Sequence, residues 1–367
     1  MNLKYLVQNC HRDILKRKHA SNLRIASLSG AIMTNMEKLP TKIRVSLGTA
    51  IVTGLIKGKL DAAPTTAYLM TYRRGKCTAN CGFCPQARES SSRADMLSRI
   101  SWPVFPTQRV IESLEKAVVD GKIKRICIQA LNYPEVFTEL LALVKAIRHR
   151  VNAPISISCQ PLNKENLRLL AEAGVERVGI ALDAATEPLF DKVKGTLAGG
   201  PYVWKKQFRL LDEAVKIFGK GKVSTHLIVG LGETEREMVE TIQQCVDMGV
   251  LPALFAFTPI AGTVLENNPQ PPIEKYRRIQ TARHLIVNGM ARYENMRFDE
   301  NGCIVDFGVN RETLLSIVEG GKPFLTSGCP NCNRPYYNEK PSGPLYNYPR
   351  TLSEKEILLA KMELGLA

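Results

Sequence analysis

The sequence has no run of 18 apolar residues, so it offers no helix of membrane-spanning character. It is short of acid: 35 Asp and Glu stand against 50 Lys and Arg, which leaves a formal charge of +15. Such a surface favours a negatively charged macromolecular partner. The basic residues are spread along the chain, and the densest group, Arg12 to Lys18, fits a solvated helix face equally well. The charge alone does not say which kind of partner; the strand–helix alternation described below argues against a nucleic-acid-binding zinc protein. The first ten residues lack a signal-peptide core and cleavage site, so a cytoplasmic location is expected, where structural disulfides are rare. Histidine is scarce, and neither His nor Cys occurs between Cys84 and Cys127.

What is present is cysteine, ten residues of it. Three fall in Cys77-Thr-Ala-Asn-Cys81-Gly-Phe-Cys84, just after an apolar run at 67–72 that reads as a strand. Gly75, Asn80 and Gly82 let the chain curl so that three sulfurs can face one point. Thiolates are the ligands of iron–sulfur clusters. Three of them leave one iron of a 4Fe-4S cluster open to a small molecule. The alternative, a structural zinc knuckle, needs a fourth ligand close by, and the stretch after Cys84 supplies none.

From residue 66 onward strands and helices alternate. Apolar runs at 67–72, 125–131, 155–160, 177–183, 222–230 and 251–260 are separated by helical stretches at 108–120, 134–149, 164–173, 202–218 and 235–248. Gly121, Gly174, Gly219 and Gly249 close helices. Two further strands are expected at 295–299 and 323–326, around a helix at 311–319. The result is an α/β fold with a parallel sheet. Eight strands over roughly 260 residues match a (β/α)8 TIM-type barrel, with an open six-stranded form as the alternative because the last two strands are short. The expected organisation is a helical segment at 1–64, including an amphipathic pattern at 43–56, then the barrel at 65–328 and a C-terminal extension at 329–367. The chemistry of such a barrel sits at the C-terminal ends of its strands, and the Cys77 loop follows the first of them.

Other candidates follow strands too. Cys127 alternates with Ile126 and Ile128, so it faces the barrel interior if the isoleucines face the helices. Cys159 shares the parity of Ile155 and Ile157, which counts against a ligand role. Cys329 and Cys332 form a Cys-x-x-Cys that can grip one metal; a redox dithiol or half a zinc site are the other readings. Together Cys127, Cys159, Cys329 and Cys332 would supply four thiolates for a second, auxiliary 4Fe-4S cluster. Cys303 is the substitute if Cys159 fails, and Cys10 has no assigned role. Cys245 reads as a packing residue within a helix. The segment from Lys222 to Thr234 is a strand entering a Gly-rich turn, which lets backbone approach a ligand closely. Asp183 ends a strand where it can accept from ribose hydroxyls, or simply begin the next helix.

The loop at 77–84 resembles the cluster loop of radical S-adenosyl-L-methionine (SAM) enzymes. That resemblance implies SAM bound at the open iron and cleaved to a 5′-deoxyadenosyl radical, with Phe83 near the adenine. The continuation Pro85-Gln86-Ala87-Arg88 and the motif Ile228-Val-Gly230-Leu-Gly-Glu233-Thr234 resemble biotin synthase, which implies SAM contacts at Ile228, Gly230 and Glu233. By order of strands, that enzyme's second-cluster ligands fall on Cys127, Cys159, Ser224 and Arg297. Ser224 departs from the pattern, as do Ala181 in place of an asparagine and His226 in place of a glycine. With the terminal Gly328-Cys-Pro-Asn-Cys-Asn-Arg-Pro335, the whole is most similar to the two-component lipoyl synthases. The resemblance implies a radical SAM sulfurtransferase acting on an octanoylated lipoyl-carrier protein, which is acidic. It also implies a second lipoyl synthase component and an electron donor such as ferredoxin or flavodoxin. Arg88, Arg297 and Arg334 are the candidate basic contacts to SAM, cluster or carrier. A mutase of the methylornithine synthase type, which needs no sulfur donor, is the rival reading.

Overall fold

Apolar strands that alternate with one-faced helices have to stack into layers, and here they build a sheet wrapped by helices. The computed structural model describes residues 39–160 and 162–366. Strands β1 (Lys42–Val45), β2 (Thr66–Thr71), β3 (Val104–Pro106), β4 (Arg125–Gln129), β5 (Ile155–Ser158), β6 (Arg177–Gly179), β7 (Val223–Val229) and β8 (Val250–Ala256) form one sheet in the order β8-β7-β6-β5-β4-β2-β1-β3. From β2 to β8 the neighbours are parallel, whereas β1 is antiparallel to both β2 and β3.

The helices in chain order are α1 (Leu47–Val52), α2 (Thr107–Val119), α3 (Val136–Arg150), α4 (Lys164–Glu172), α5 (Glu187–Val193), α6 (Trp204–Phe218), α7 (Glu235–Asp247), α8 (Ile273–Val287), α9 (Arg311–Glu319) and α10 (Glu354–Glu363). Each long helix buries a stripe at helical spacing; in α6 it is Leu210, Leu211, Ala214 and Phe218. These meet Ile126, Ile157, Val178 and Leu227 of the strands in one core. A leucine-sized side chain buried in this way contributes about 1.5–3 kcal/mol. Among the described residues no helix is long and apolar enough to cross a membrane.

The α/β class and the parallel alternation agree with expectation, and the parallel part takes the open six-stranded form. The two strands expected last do not join it. Arg297–Phe298 pairs instead with Ile304–Asp306 in a separate two-stranded ladder, and Lys322–Phe324 is a turn of 3-10 helix. Pro323 has no amide to give a ladder. The expected helix at 43–56 is also partly replaced, since Lys42–Val45 is a strand and only Leu47–Val52 is helical. Residues 1–38, with Cys10 and the rest of the expected N-terminal helical segment, lie outside the described residues.

The edge of β8 is left without a strand partner and is covered by side chains. The Leu254 amide donates to Ser327 Oγ at 2.8 Å, and Arg283 Nε donates to the Pro252 carbonyl at 2.6 Å. Arg334 reaches the same edge with Nη2 3.5 Å from the Leu254 carbonyl. Masking of this kind stops an open edge from pairing with another chain. It also brings the segment after residue 326 against the mouth of the sheet.

Candidate active site

The Cys77 loop leaves the C-terminal end of β2 and is held by backbone. The amide of Cys77 donates to the Gln86 carbonyl at 2.9 Å, and that of Cys84 to the Cys81 carbonyl at 2.9 Å. Thr78 donates through both amide and hydroxyl to the Asn132 carbonyl, each at 2.8 Å. The Asn132 amide in turn donates to Cys77 Sγ at 3.1 Å. Gly82 lies under Val264 and Leu265 and donates to the Val193 carbonyl at 2.7 Å. Burial raises the Cys81 and Cys84 thiols, the latter to about 12, and the neighbouring thiols push each of them further up. A cation beside Cys81 and Cys84 would favour their thiolate forms against this burial. Among the described residues no three Cys, His, Asp or Glu side chains converge on a single-ion site, whereas a multi-iron cluster holds its ligand sulfurs further apart. The loop presents three cysteine sulfurs and no further Cys or His before Cys127, a donor set that suits a 4Fe-4S cluster with one open iron.

A second set of thiols faces the first. In the register of β2, β4 and β5, Tyr68, Cys127 and Ser156 stand side by side. The loop at 329–332 docks on this row: Cys332 Sγ is 3.4 Å from Tyr68 Oη, and Ser156 Oγ donates to Cys329 Sγ at 3.6 Å. Gln129 Nε2 donates to Cys127 Sγ at 3.2 Å. Burial raises Cys127 and Cys332, with the charge of Cys329 adding to both and Arg334 opposing it. Both trios line one cavity of about 300 Å³.

Cys159, expected to complete the second set, lies just past the end of β5 and lines the same cavity. It is buried with Ile155 and Ile157 in the core, and burial alone raises its thiol, to about 12. Cys303, the substitute, sits in the neighbourhood of Glu235, Asp299 and Arg278, outside the cavity lining. Cys245 is buried on α7 as a packing residue. Arg297 pairs with Asp306 on the exposed short ladder at 2.8 Å, and Arg88 pairs with Glu89 at the surface. Arg334 is the arginine that enters the cavity, stacked 3.8 Å above the Phe255 ring.

Of the residues expected to meet SAM, Phe83, Asp183 and Ile228 line the cavity, and Gly230 and Glu233 do not. Glu233 has turned inward. Its carboxylate accepts from the amides of Gly230 at 2.8 Å, Leu231 at 2.9 Å and Gly232 at 3.2 Å, and it pairs with Lys275 at 3.0 Å. It is the clasp of the Gly-rich turn. The turn itself needs glycine at 230, where φ is 105° and a Cβ would stand 2.9 Å from Pro271. Glu233→Gln, which cannot satisfy all three amides, lowers stability by about 1–3 kcal/mol, read from the urea midpoint; an unchanged midpoint would show that the clasp is idle.

Sequence reasoning missed Lys194. This lysine is only 2% exposed and donates to Asp183 Oδ2 at 2.6 Å and to the Ala181 carbonyl at 2.9 Å. It lies 4.8 Å from the centroid of the Tyr202 ring. Asp183 has φ of 67°, a strained conformation for a residue other than glycine, and the ion pair fixes it there. No local signal marks Lys194, which follows a helix that itself carries Glu187, Asp191 and Lys192. His226, also unassigned, stacks on Phe255 with centroids 4.9 Å apart, and burial pushes its pKa down to about 4. It stays neutral at physiological pH.

A family model described as the Radical SAM superfamily matches residues 74–245. The biotin synthase of Persephonella marina is 27% identical over 209 residues, which are 55% of this chain and 57% of that protein. The biotin synthase of Chlorobium phaeobacteroides is 24% identical over 321 residues, 83% of each. The chain thus spans little more than half the length of the first of these relatives. Among solved structures, HydG, an FeFe-hydrogenase maturase from Carboxydothermus hydrogenoformans, has a TM-score of 0.48 at 17% identity, over 66% of this chain and 55% of that one. Methylornithine synthase has 0.47 at 13%, over 66% and 74%. The matched family implies a 4Fe-4S cluster and SAM as cofactors, for which the Cys77 loop and the adjoining cavity are suited. Residues 74–245, just under half of the chain, thus match the Radical SAM superfamily model, and the chain is similar to biotin synthases at 24–27% identity.

Proposed function

We propose that this protein inserts sulfur at an unactivated carbon, with Cys77, Cys81 and Cys84 holding the radical-generating cluster and Cys127, Cys329 and Cys332 holding a second, sulfur-donating one. The observation that supports this reading is the pair of thiol trios lining one cavity. A mutase without a donor has no use for the second trio. When bound, the first cluster and SAM supply a radical able to remove hydrogen from an aliphatic carbon, which no protein side chain can do.

The chain's own residues bind and orient. Phe83, Ile228 and Tyr202 provide the apolar wall for an adenosyl group. Asp183, pinned by Lys194, presents its carboxylate to ribose hydroxyls. Backbone and side-chain donors reach the sulfurs: Asn132 at Cys77, Gln129 at Cys127, Ser156 at Cys329. Such donors tune the potential of an iron–sulfur centre. Tyr68, Met70, Leu97 and Leu131 line the cavity and favour an alkyl substrate over a charged one.

The substrate we infer first is an octanoyl chain on an acidic lipoyl-carrier protein, drawn in by the net charge of +15. The electron donor is a small redox protein such as ferredoxin or flavodoxin. The second reading is biotin-type insertion into a small molecule, favoured by the biotin synthases among the relatives. Anaerobically reconstituted protein with SAM and reductant is offered an octanoyl-lysine peptide and, separately, the sulfur-free biotin precursor. Mass spectrometry is expected to show one or two sulfurs gained by the peptide. Gain by the biotin precursor alone selects the second reading, and 5′-deoxyadenosine without sulfur in either product defeats both.

A further inference from the structure

We infer that Arg334 seats the substrate, its guanidinium taking the acyl oxygen at one end of a short alkyl chain. This rests on the sulfur-insertion reading and names the chemical handle by which the substrate is held.

The cavity wall carries three cationic side chains, Arg177, Lys194 and Arg334. Two of them have a carboxylate. Lys194 pairs with Asp183 at 2.6 Å, and Asp183 is the one acid in the wall among the described residues. Arg177 has Glu176 at 3.6 Å. Arg334 forms no ion pair among the described residues. Its side chain donates through Nη2 alone, to the Ser327 carbonyl at 2.6 Å and the Leu254 carbonyl at 3.5 Å. Glu339 feels its charge but is not paired with it and lies outside the wall. Nor does Arg334 bond to the thiols nearby, which meet other groups: Gln129 at Cys127, Ser156 at Cys329 and Tyr68 at Cys332.

The guanidinium is fixed all the same. Its central carbon lies 3.8 Å from the centroid of the Phe255 ring, and that ring also meets His226 at 4.9 Å. A stack and one short bond therefore hold Nε and Nη1 in place with no acceptor among the described residues. Donors fixed in this way can take a ligand oxygen without the cost of ordering a loose side chain. The wall shows what that oxygen is attached to. Tyr68, Met70, Leu97 and Leu131 suit the body of a carbon chain but have nothing for its oxygen end. An acyl group is a carbon chain with an oxygen end, whether a free carboxylate or the amide formed on a lysine. The cavity of about 300 Å³ is of small-ligand size. A carboxylate can engage Nε and Nη1 together, whereas an amide carbonyl offers one oxygen.

The test measures binding to the anaerobically reconstituted full chain, with SAM present, by isothermal titration calorimetry. Octanoate, an octanoyl-lysine peptide and octan-1-ol are compared. Wild type is expected to bind an acyl ligand at least about tenfold more tightly than the alcohol, a comparison that needs no variant. Arg334→Gln should weaken acyl binding about ten- to hundredfold and leave binding of the alcohol as it was. Arg334→Lys keeps the charge without the planar fork and should fall between. A loss confined to octanoate identifies the handle as a free carboxylate, and a loss for the peptide as well extends it to the amide. Wild type that does not distinguish either acyl ligand from the alcohol overturns the inference. So does an Arg334→Gln protein that binds both acyl ligands like wild type, or one that loses iron while acyl binding holds, which would place the arginine at a cluster. None of these results touches the sulfur-insertion reading, which stands or falls on sulfur gained by product of the wild-type protein in mass spectrometry.

Discussion

With Cys329 and Cys332 both replaced by alanine, SAM is still cleaved to 5′-deoxyadenosine and no sulfurated product forms. The two activities separate because the two trios are built by different pieces of chain. The first needs the loop after β2, Asn132 and the segment around Val193. The second needs the loop at 329–332 against Tyr68 and Ser156. Alanine removes two sulfurs and leaves the loop's main anchors in place: the Thr65 and Thr66 hydroxyls at the Asn331 carbonyl, and Asn333 Nδ2 at the Ala63 carbonyl, 2.9 Å away. Reconstituted iron should fall from about eight to about four per chain, and product from one or two sulfurs to none. Iron analysis and mass spectrometry on the same sample read both. Sulfurated product from the double variant would remove the pair from the donor.

Arg277→Ala is expected to cost the largest stability of any single substitution considered, about 3–5 kcal/mol, because it leaves the half-buried Glu363 carboxylate and several buried acceptors without their donor. Arg277 lies on α8 and is 1% exposed. Its guanidinium donates to Glu363 at 2.7 Å, Gln280 at 2.8 Å, and the carbonyls of Tyr346 at 2.8 Å and Leu345 at 2.6 Å. The rings of Phe324 and Tyr348 stand 5.3 and 5.4 Å from it. One side chain thus fastens the 345–348 segment and α10 to the helical layer. Arg277→Lys keeps the charge but not the planar fork, and should fall between wild type and alanine. Urea unfolding gives the comparison; a loss below about 1 kcal/mol would place the arginine among ordinary surface pairs.

How much of this was readable from the sequence depends on distance along the chain. The Cys77 loop was legible because its three ligands fall within eight residues and the strand before them is a plain apolar run. The strand–helix alternation was legible for the same reason, each element carrying its own period. Cys127 followed from alternation with two isoleucines. Alternation also warned against Cys159, and the structure keeps that cysteine with Ile155 and Ile157. The strand Lys42–Val45 was not legible, since its identity comes from pairing with β2 and β3, far along the chain, and its apolar residues suit a helix equally well. Arg297 and Arg334 could not be told apart because neither arginine's local pattern says which one the chain folds into the cavity. Lys194 hid behind the habit of lysine for solvent; only a carboxylate brought near in space justifies its burial. Glu233 could have been recognised, as a carboxylate directly after Gly-Leu-Gly is placed to cap the amides of its own turn.

The loop that masks the β8 edge also imposes an order on the making of the protein. The loop of the first thiol trio is packed by residues as far along as Leu265, whereas Cys127 must wait some two hundred residues for Cys329 and Cys332. Chains are made from the N-terminus at a finite pace and fold as their segments emerge. A nascent chain stalled or cut before residue 329 would carry a radical site with nothing opposite it and an uncovered sheet edge. On the proposed function, the second thiol trio can form only after residues 329–332 have been made.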